Sequence, residues 1–125
     1  MTPIPYVPEQ HFEQIKSWLQ FWDESMTHEA LPQTGFIIPE RCVGFLYRTD
    51  SSLCIMENIV AAPGLDREVR SEAVDAVVTA IIAEAKRLGF KLMMGYTQLD
   101  AMVKRSEKFG FVSIPGKFHL VALPL

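Results

Sequence analysis

Glu57 stands inside an otherwise apolar run, Leu53 to Val60, with Ile55, Met56, Ile59 and Val60 around it. A carboxyl group in such surroundings loses hydration and its pKa rises, which suits a general base working near neutral pH. The plainer reading is a strand residue whose carboxylate reaches water at the rim or binds a neighbouring N–H. Just beyond it, Ala61-Ala62-Pro63-Gly64 leads into a long helical pattern that opens near Asp66. The first turn of a helix presents backbone N–H groups without intrahelical partners, so this strand-to-helix junction is a ready anion site. Charges of both signs surround the opening: Arg67 and Arg70 beside Glu68 and Glu72. Proton abstraction at one place and anion binding at another are the two chemistries in view.

The elements that must position these residues are readable from periodicity and turn chemistry. Ile4 to Val7 predicts a short edge strand, broken up by Pro3, Pro5 and Pro8. Pro8 then suits the first turn of a helix, in which Phe12, Ile15, Leu19 and Trp22 recur at helical spacing and Trp18 and Phe21 widen the apolar face. Ser25 to Thr34 holds a short helical turn around His28-Glu29-Ala30-Leu31 before Pro32. Phe36 to Ile38, Cys42 to Arg48 and Leu53 to Val60 predict three strands joined by Pro39-Glu40-Arg41 and Thr49-Asp50-Ser51-Ser52. The long helix has Asp66 as N-cap, Lys86 and Arg87 in its last turn and Gly89 as left-handed stop. Val69, Ala73, Val77, Ala80, Ile81 and Leu88 make its core stripe. Lys91 to Tyr96 predicts a fifth strand and Leu99 to Phe109 a shorter helix. Phe111 to Ile114 and Lys117 to Leu123 predict two last strands paired across Pro115-Gly116. Hairpins in the first half and a strand-helix-strand crossover in the second give an α+β mixed sheet covered by helices on both faces.

The composition narrows the functions. A chain of 125 residues, 49% apolar and 22% charged, predicts a single domain, 1–125, with a core of its own. A net charge of −3 argues against nucleic acid as a partner. No apolar run reaches the ~20 residues of a membrane span, and the N-terminus lacks the basic and apolar regions of a signal peptide, so a cytoplasmic protein without a membrane partner is expected. Cys42 and Cys54 are expected as buried thiols, because hairpin register would set Cys42 opposite a residue near Ile59, about five residues along the ladder from Cys54. His11, His28 and His119 fall on separate elements, so no metal site is expected. Asp23, Glu24 and Glu29 would suit a cationic partner.

The element order from about Ile4 to Leu123 is similar to that of the GCN5-related N-acetyltransferases. Val43-Gly44-Phe45 resembles the "ivGf" word of that family's third strand. Glu107-Lys108-Phe109-Gly110-Phe111 resembles "YEKLGF" after its last helix. The resemblance implies a GNAT-like fold with a central, mostly antiparallel mixed sheet of six to seven strands. It also implies acetyl-CoA (coenzyme A) as cosubstrate. In the family the helix after the fourth strand opens with Gln/Arg-x-x-Gly-x-Gly/Ala, the glycines letting backbone N–H groups approach the pyrophosphate. Here Glu68-Val69-Arg70-Ser71-Glu72-Ala73 takes that place: Ala73 satisfies the last position, Ser71 replaces a glycine and Glu68 puts a carboxylate where the family has Gln or Arg. Like charges 4 Å apart repel by roughly 4 kcal/mol at an effective dielectric of 20, and Arg67 or Arg70 would have to reverse that sign. Ile59, Val60, Arg67, Val69, Arg70, Ser71, Glu72 and Ala73 are the cofactor-binding positions the resemblance implies.

The same resemblance gives Glu57 the place of the glutamate base that histone-type members carry on strand four. Ser106 stands where the family has the tyrosine that protonates the leaving thiolate; Tyr96, at the end of the fifth strand, is the other candidate for that proton. His28 and Glu29 sit where the family builds its acceptor site. Two functions are open. One is an acetyl-CoA-dependent N-acetyltransferase that moves an acetyl group directly to the amine of a small molecule or protein. The other is a GNAT-like binding or structural module that has lost acyl transfer. In the second, Trp18, Phe21 and Trp22 would form a partner surface such as a homodimer contact, although core packing explains the same residues.

Overall fold

Three consecutive antiparallel strands form the centre of the structure, a computed structural model that describes residues 1–114, 116 and 118–125. They are β2 (Gly35–Ile38), β3 (Cys42–Tyr47) and β4 (Leu53–Ala61). A two-residue edge strand, β1 (Ile4–Pro5), pairs antiparallel with β2. Between β1 and β2 runs helix α1 (Pro8–Phe21), and β4 is followed by helix α2 (Arg67–Arg87). The α2 crossover delivers β5 (Leu92–Met94) parallel to β4, giving the order β1-β2-β3-β4-β5.

Alternation along β3 assigns the two faces of the sheet. Val43 and Phe45 point into a core with Ile15, Trp18 and Leu19 of α1. Gly44 points to the other face, where a Cβ in its place would lie 2.8 Å from both Ile81 Cδ1 and Val77 Cγ1 of α2. Only glycine lets α2 seat this closely on β3. The buried residues of α2 are Ala73, Val74, Val77, Val78, Ile81 and Ala85. This differs from the expected stripe at Val69, Ala80 and Leu88, which are half-buried. Gly89 closes the helix with φ +90°, as anticipated. Asp66 occupies the N-cap position but its side chain makes no cap hydrogen bond.

On α1 the buried set is His11, Ile15, Trp18 and Leu19. Trp22, expected on this stripe, falls at the C-cap, where the helical path to the core has ended, and is 43% exposed. The buried His11 is accommodated because its Nδ1 accepts the Val7 N–H at 2.9 Å. In the loop that follows, the Ala30 N–H donates to Thr27 O, a single turn at the place where a short helical turn was anticipated.

The β3–β4 register differs from the expected one. Tyr47 faces Ile55, one residue away from where that register would set it, and a bulge between Val43 and Phe45 adds one more residue, so Cys42 pairs with Ala61 and not with a residue near Ile59. Both cysteines are buried thiols.

Residues 1–95 form one compact unit and 96–125 a second. In the second, α3 (Asp100–Lys108) ends at Gly110, which has φ +99°. The two strands expected after it do not form among the described residues, so the sheet has five strands and not six to seven. The alternating apolar residues there, Val112, Ile114, Phe118 and Leu120, are exposed: period two specifies the faces of a strand, but a ladder needs a partner. Pro115 and Lys117, part of that expected hairpin, lie outside the described residues. Among the described residues no helix is long and apolar enough to cross a membrane.

Candidate functional site

The bulge in β4 shapes the site. Two residues, Asn58 and Ile59, oppose Gly44, and Asn58 takes the left-handed conformation, φ +54°. Asparagine adopts that region more readily than most residues. Its side chain is held as well, since the Tyr47 hydroxyl donates to Asn58 Oδ1.

Glu57, just before the bulge, faces Phe45 and therefore lies on the α1 side of the sheet. It is half-buried. A Cβ on Gly95 would sit 3.2 Å from Met56 O and 4.0 Å from Glu57 Oε1. The carboxylate thus stands where β4 and β5 part, beside a residue with no side chain to fill the opening. Burial, and then the charge of Glu57, push up the Tyr47 phenol. The same two causes in the same order push up the Glu24 carboxyl. Glu57 is therefore the charge felt by both Tyr47 and Glu24, and Asn58 joins this group through the Tyr47 hydroxyl.

Glu24 reaches this group because the end of α1 is tied down. Its N–H donates to Leu19 O at 2.8 Å, Asp23 turns left-handed, and the Trp22 indole Nε1 donates to Ala61 O on β4 at 2.9 Å.

Of the expected cofactor-binding residues, Ile59 and Val60 spend their side chains on packing. The Ile59 Cγ1 lies toward Gly44 on the α2 face, and Val60 is in the core against α1. What they offer a ligand is backbone. At the start of α2 the first intrahelical bond runs from Arg70 N–H to Asp66 O. The N–H groups of Arg67, Glu68 and Val69 precede it and, with Asp66 making no side-chain cap, remain for an anion. Arg67, Glu68, Arg70 and Glu72 are exposed around this opening, Val69 and Ser71 are half-buried, and Ala73 is fully buried, contributing by its small size.

His28 and Glu29 do not join the Glu57 group; they pair with each other at 2.9 Å on the surface. The His28 ring meets Phe12 edge-on, centroids 5.6 Å apart, and with Pro8, Glu9 and Glu13 they line a shallow groove of about 290 Å³ along α1. Hydrogen bonds from backbone N–H and from the Thr27 hydroxyl, then the His28 charge, hold Glu29 below the usual carboxylate range.

Tyr96 and Ser106 belong to the second unit. Tyr96 is exposed and stands edge-on to Phe118, centroids 6.5 Å apart. Ser106 is half-buried in α3, and its carbonyl accepts the N–H groups of Phe109 and Phe111 at the helix end.

Sequence reasoning noted Glu24 only as a loop charge and missed Tyr47, Asn58 and the Trp22 tether. An asparagine inside an apolar strand was the one visible signal of the bulge.

No family model matches the sequence, and neither does any curated protein. Solved structures do match. A protein assigned as an acetyltransferase from Agrobacterium tumefaciens C58 superposes with TM-score 0.71 at 16% identity, over 98% of this chain and all of that one. A protein assigned as an acyl-CoA N-acyltransferase from Klebsiella pneumoniae gives 0.66 at 13% identity, over 94% of this chain and 86% of that one. A GNAT-family acetyltransferase from Streptococcus pneumoniae gives 0.65 at 10% identity, over 96% of each. The chain has the fold of the GNAT acetyltransferases.

Proposed function

We propose that the chain is an acyl-coenzyme A-dependent N-acyltransferase, with acetyl-CoA as the first acyl donor to test and an amine as acceptor. The observation that carries this reading is the alignment of three features on one strand. Glu57 stands at the parting of β4 and β5, the bulge follows at Asn58, and the strand then runs into a helix whose opening has no side-chain cap. These residues fit coenzyme A: free N–H groups of the first turn of α2 suit its pyrophosphate, with Arg67 and Arg70 beside them, and the β4 backbone suits its amide-bearing arm. The bound thioester would supply an activated acyl group. Glu57 would take the proton from the ammonium form of the acceptor, freeing its lone pair, and Glu24 would add a second negative charge to favour a cationic acceptor. Tyr96 and Ser106 are the candidates to return a proton to the leaving thiolate. His28 and Glu29 are proposed as an outer contact for the acceptor. A single acyltransferase domain over 1–125, working in the cytoplasm, is part of this reading.

The test is calorimetric titration of acetyl-CoA into the protein and into Glu68→Gln. Micromolar binding, tightened about two- to fivefold by removing one carboxylate from the helix opening, is expected. No heat from either protein, with both folded by circular dichroism, sinks the reading and leaves a GNAT-like module with another role.

A further inference from the structure

Beyond Ile55, β4 loses its second neighbour. The parallel register pairs Leu53 with Leu92, Cys54 with Met93 and Ile55 with Met94, and goes no further. From there to Ala61 the only ladder among the described residues is with β3. The Ala62 N–H donates to Arg41 O. By the alternation of an antiparallel ladder, the N–H and C=O of Ala61 point the opposite way, to the open edge.

That carbonyl is nevertheless taken. The indole Nε1 of Trp22 donates to it at 2.9 Å across 39 residues of sequence. Trp22 is not part of the core: it lies at the end of α1, 43% exposed, edge-on to Phe21, which is 61% exposed, with centroids 4.8 Å apart. The specific contribution of the indole there is a donor to one strand carbonyl that no neighbouring strand satisfies.

We propose that Trp22 is a displaceable plug on the open edge of β4, occupying the position an extended amide-bearing ligand must use to reach Glu57. This rests on the acyl-coenzyme A reading. Glu57 and the opening of α2 bound this edge; because of the bulge, Glu57 to Ala61 matches only Phe45 to Cys42 and spans about 10 Å at 3.3 Å per residue. A ligand arm stretched between them runs along the strand, and its amides would pair with the edge as an added strand does. The amide arriving at Ala61 displaces the indole, which turns toward water. Ligand binding therefore works against one hydrogen bond already made.

The experiment titrates coenzyme A into the protein and into Trp22→Phe, which keeps an aromatic side chain, smaller than the indole, and deletes the donor. Calorimetry and indole emission are read together. The chain has two tryptophans, Trp18 and Trp22, so Trp22→Phe reports the Trp18 background directly. Binding about two- to tenfold tighter in Trp22→Phe, with a red shift and greater acrylamide quenching on ligand addition only in the unmodified protein, is expected. The emission change in the unmodified chain tests the displacement even if the variant is lost. Equal affinity without an emission change, or weaker binding by Trp22→Phe, overturns the plug and leaves the acyltransferase reading standing. No binding by either folded protein overturns both.

Discussion

The two faces of the β3–β4 ladder are built from neighbouring residues and do different things. On the α2 face Gly44 lies beneath Val77 and Ile81, and Leu46, Cys54 and Met56, which alternate to the same side, are buried. On the α1 face, Phe45 continues the core with Tyr6, in an edge-on ring pair 4.9 Å apart. Opposite Phe45 stands Glu57, and one pair further along the same face comes Tyr47, with Asn58 and Glu24 beside them. A strand period of two lets a single stretch of chain be packed on one side and carry titratable groups on the other. The bulge marks the change, because the extra residue breaks the alternation just where packing gives way to titratable groups.

The largest effect that separates the faces is on activity. Glu57→Gln should lower turnover, followed as amine-dependent release of thiol from acetyl-CoA, by about 10²–10⁴-fold, with the urea midpoint nearly unchanged. An unchanged rate would take the base role from Glu57. Next, Ile81→Ala should destabilise by about 2–5 kcal/mol through the cavity it leaves under β3. Turnover per folded molecule should stay near normal, and a loss as deep as that of Glu57→Gln would mean that the faces are not independent. Gly44→Ala is smaller, about 1–3 kcal/mol, because the new methyl meets side-chain ends of Val77 and Ile81 that can shift by part of the overlap.

The smallest effect is on pH dependence. Burial and Glu57 hold the Glu24 carboxyl above its usual 4.5. The folded state therefore keeps a proton that the unfolded chain has lost, and stability falls as pH rises from the unfolded pKa through the folded one. Glu24→Gln should flatten that part of the urea stability curve and leave the acid side as it was. A variant curve parallel to that of the unmodified protein over this range would show that Glu24 carries no such penalty.

Much of the fold was legible because it rests on local signals. The stop of α2 was written in Gly89, the edge position of β1 in its prolines, and the close approach of α2 was compatible with Gly44. The candidate site was legible only where one residue broke a pattern: Glu57 in an apolar strand. Its companions were not, because Glu24 lies 33 positions away (57 − 24) and reaches Glu57 through a helix cap and an indole tether that no periodicity encodes. The register of β3 on β4 was off by one residue at Tyr47 and by two at Cys42 for the same kind of reason. Turn length and bulge position follow from tertiary packing, and in sequence they leave only a single asparagine. The last two strands were inferred from alternation alone, which says nothing about whether a neighbour is there to pair.

The two cysteines give this sheet a pair of internal clocks. Burial pushes the Cys54 thiol up, and its Sγ lies 3.6 Å from Leu92 O across the β4–β5 junction. Cys42 sits at the far end of β3, with its Sγ turned to the Val43 carbonyl. Neither thiol can be alkylated until its part of the sheet opens, so the labelling rate of each measures a local opening event. Cys54 reports the three-residue parallel seam and Cys42 the antiparallel meander. A Cys54 rate well ahead of that of Cys42 would mean that the seam beside Glu57 breathes while the rest of the sheet stays closed.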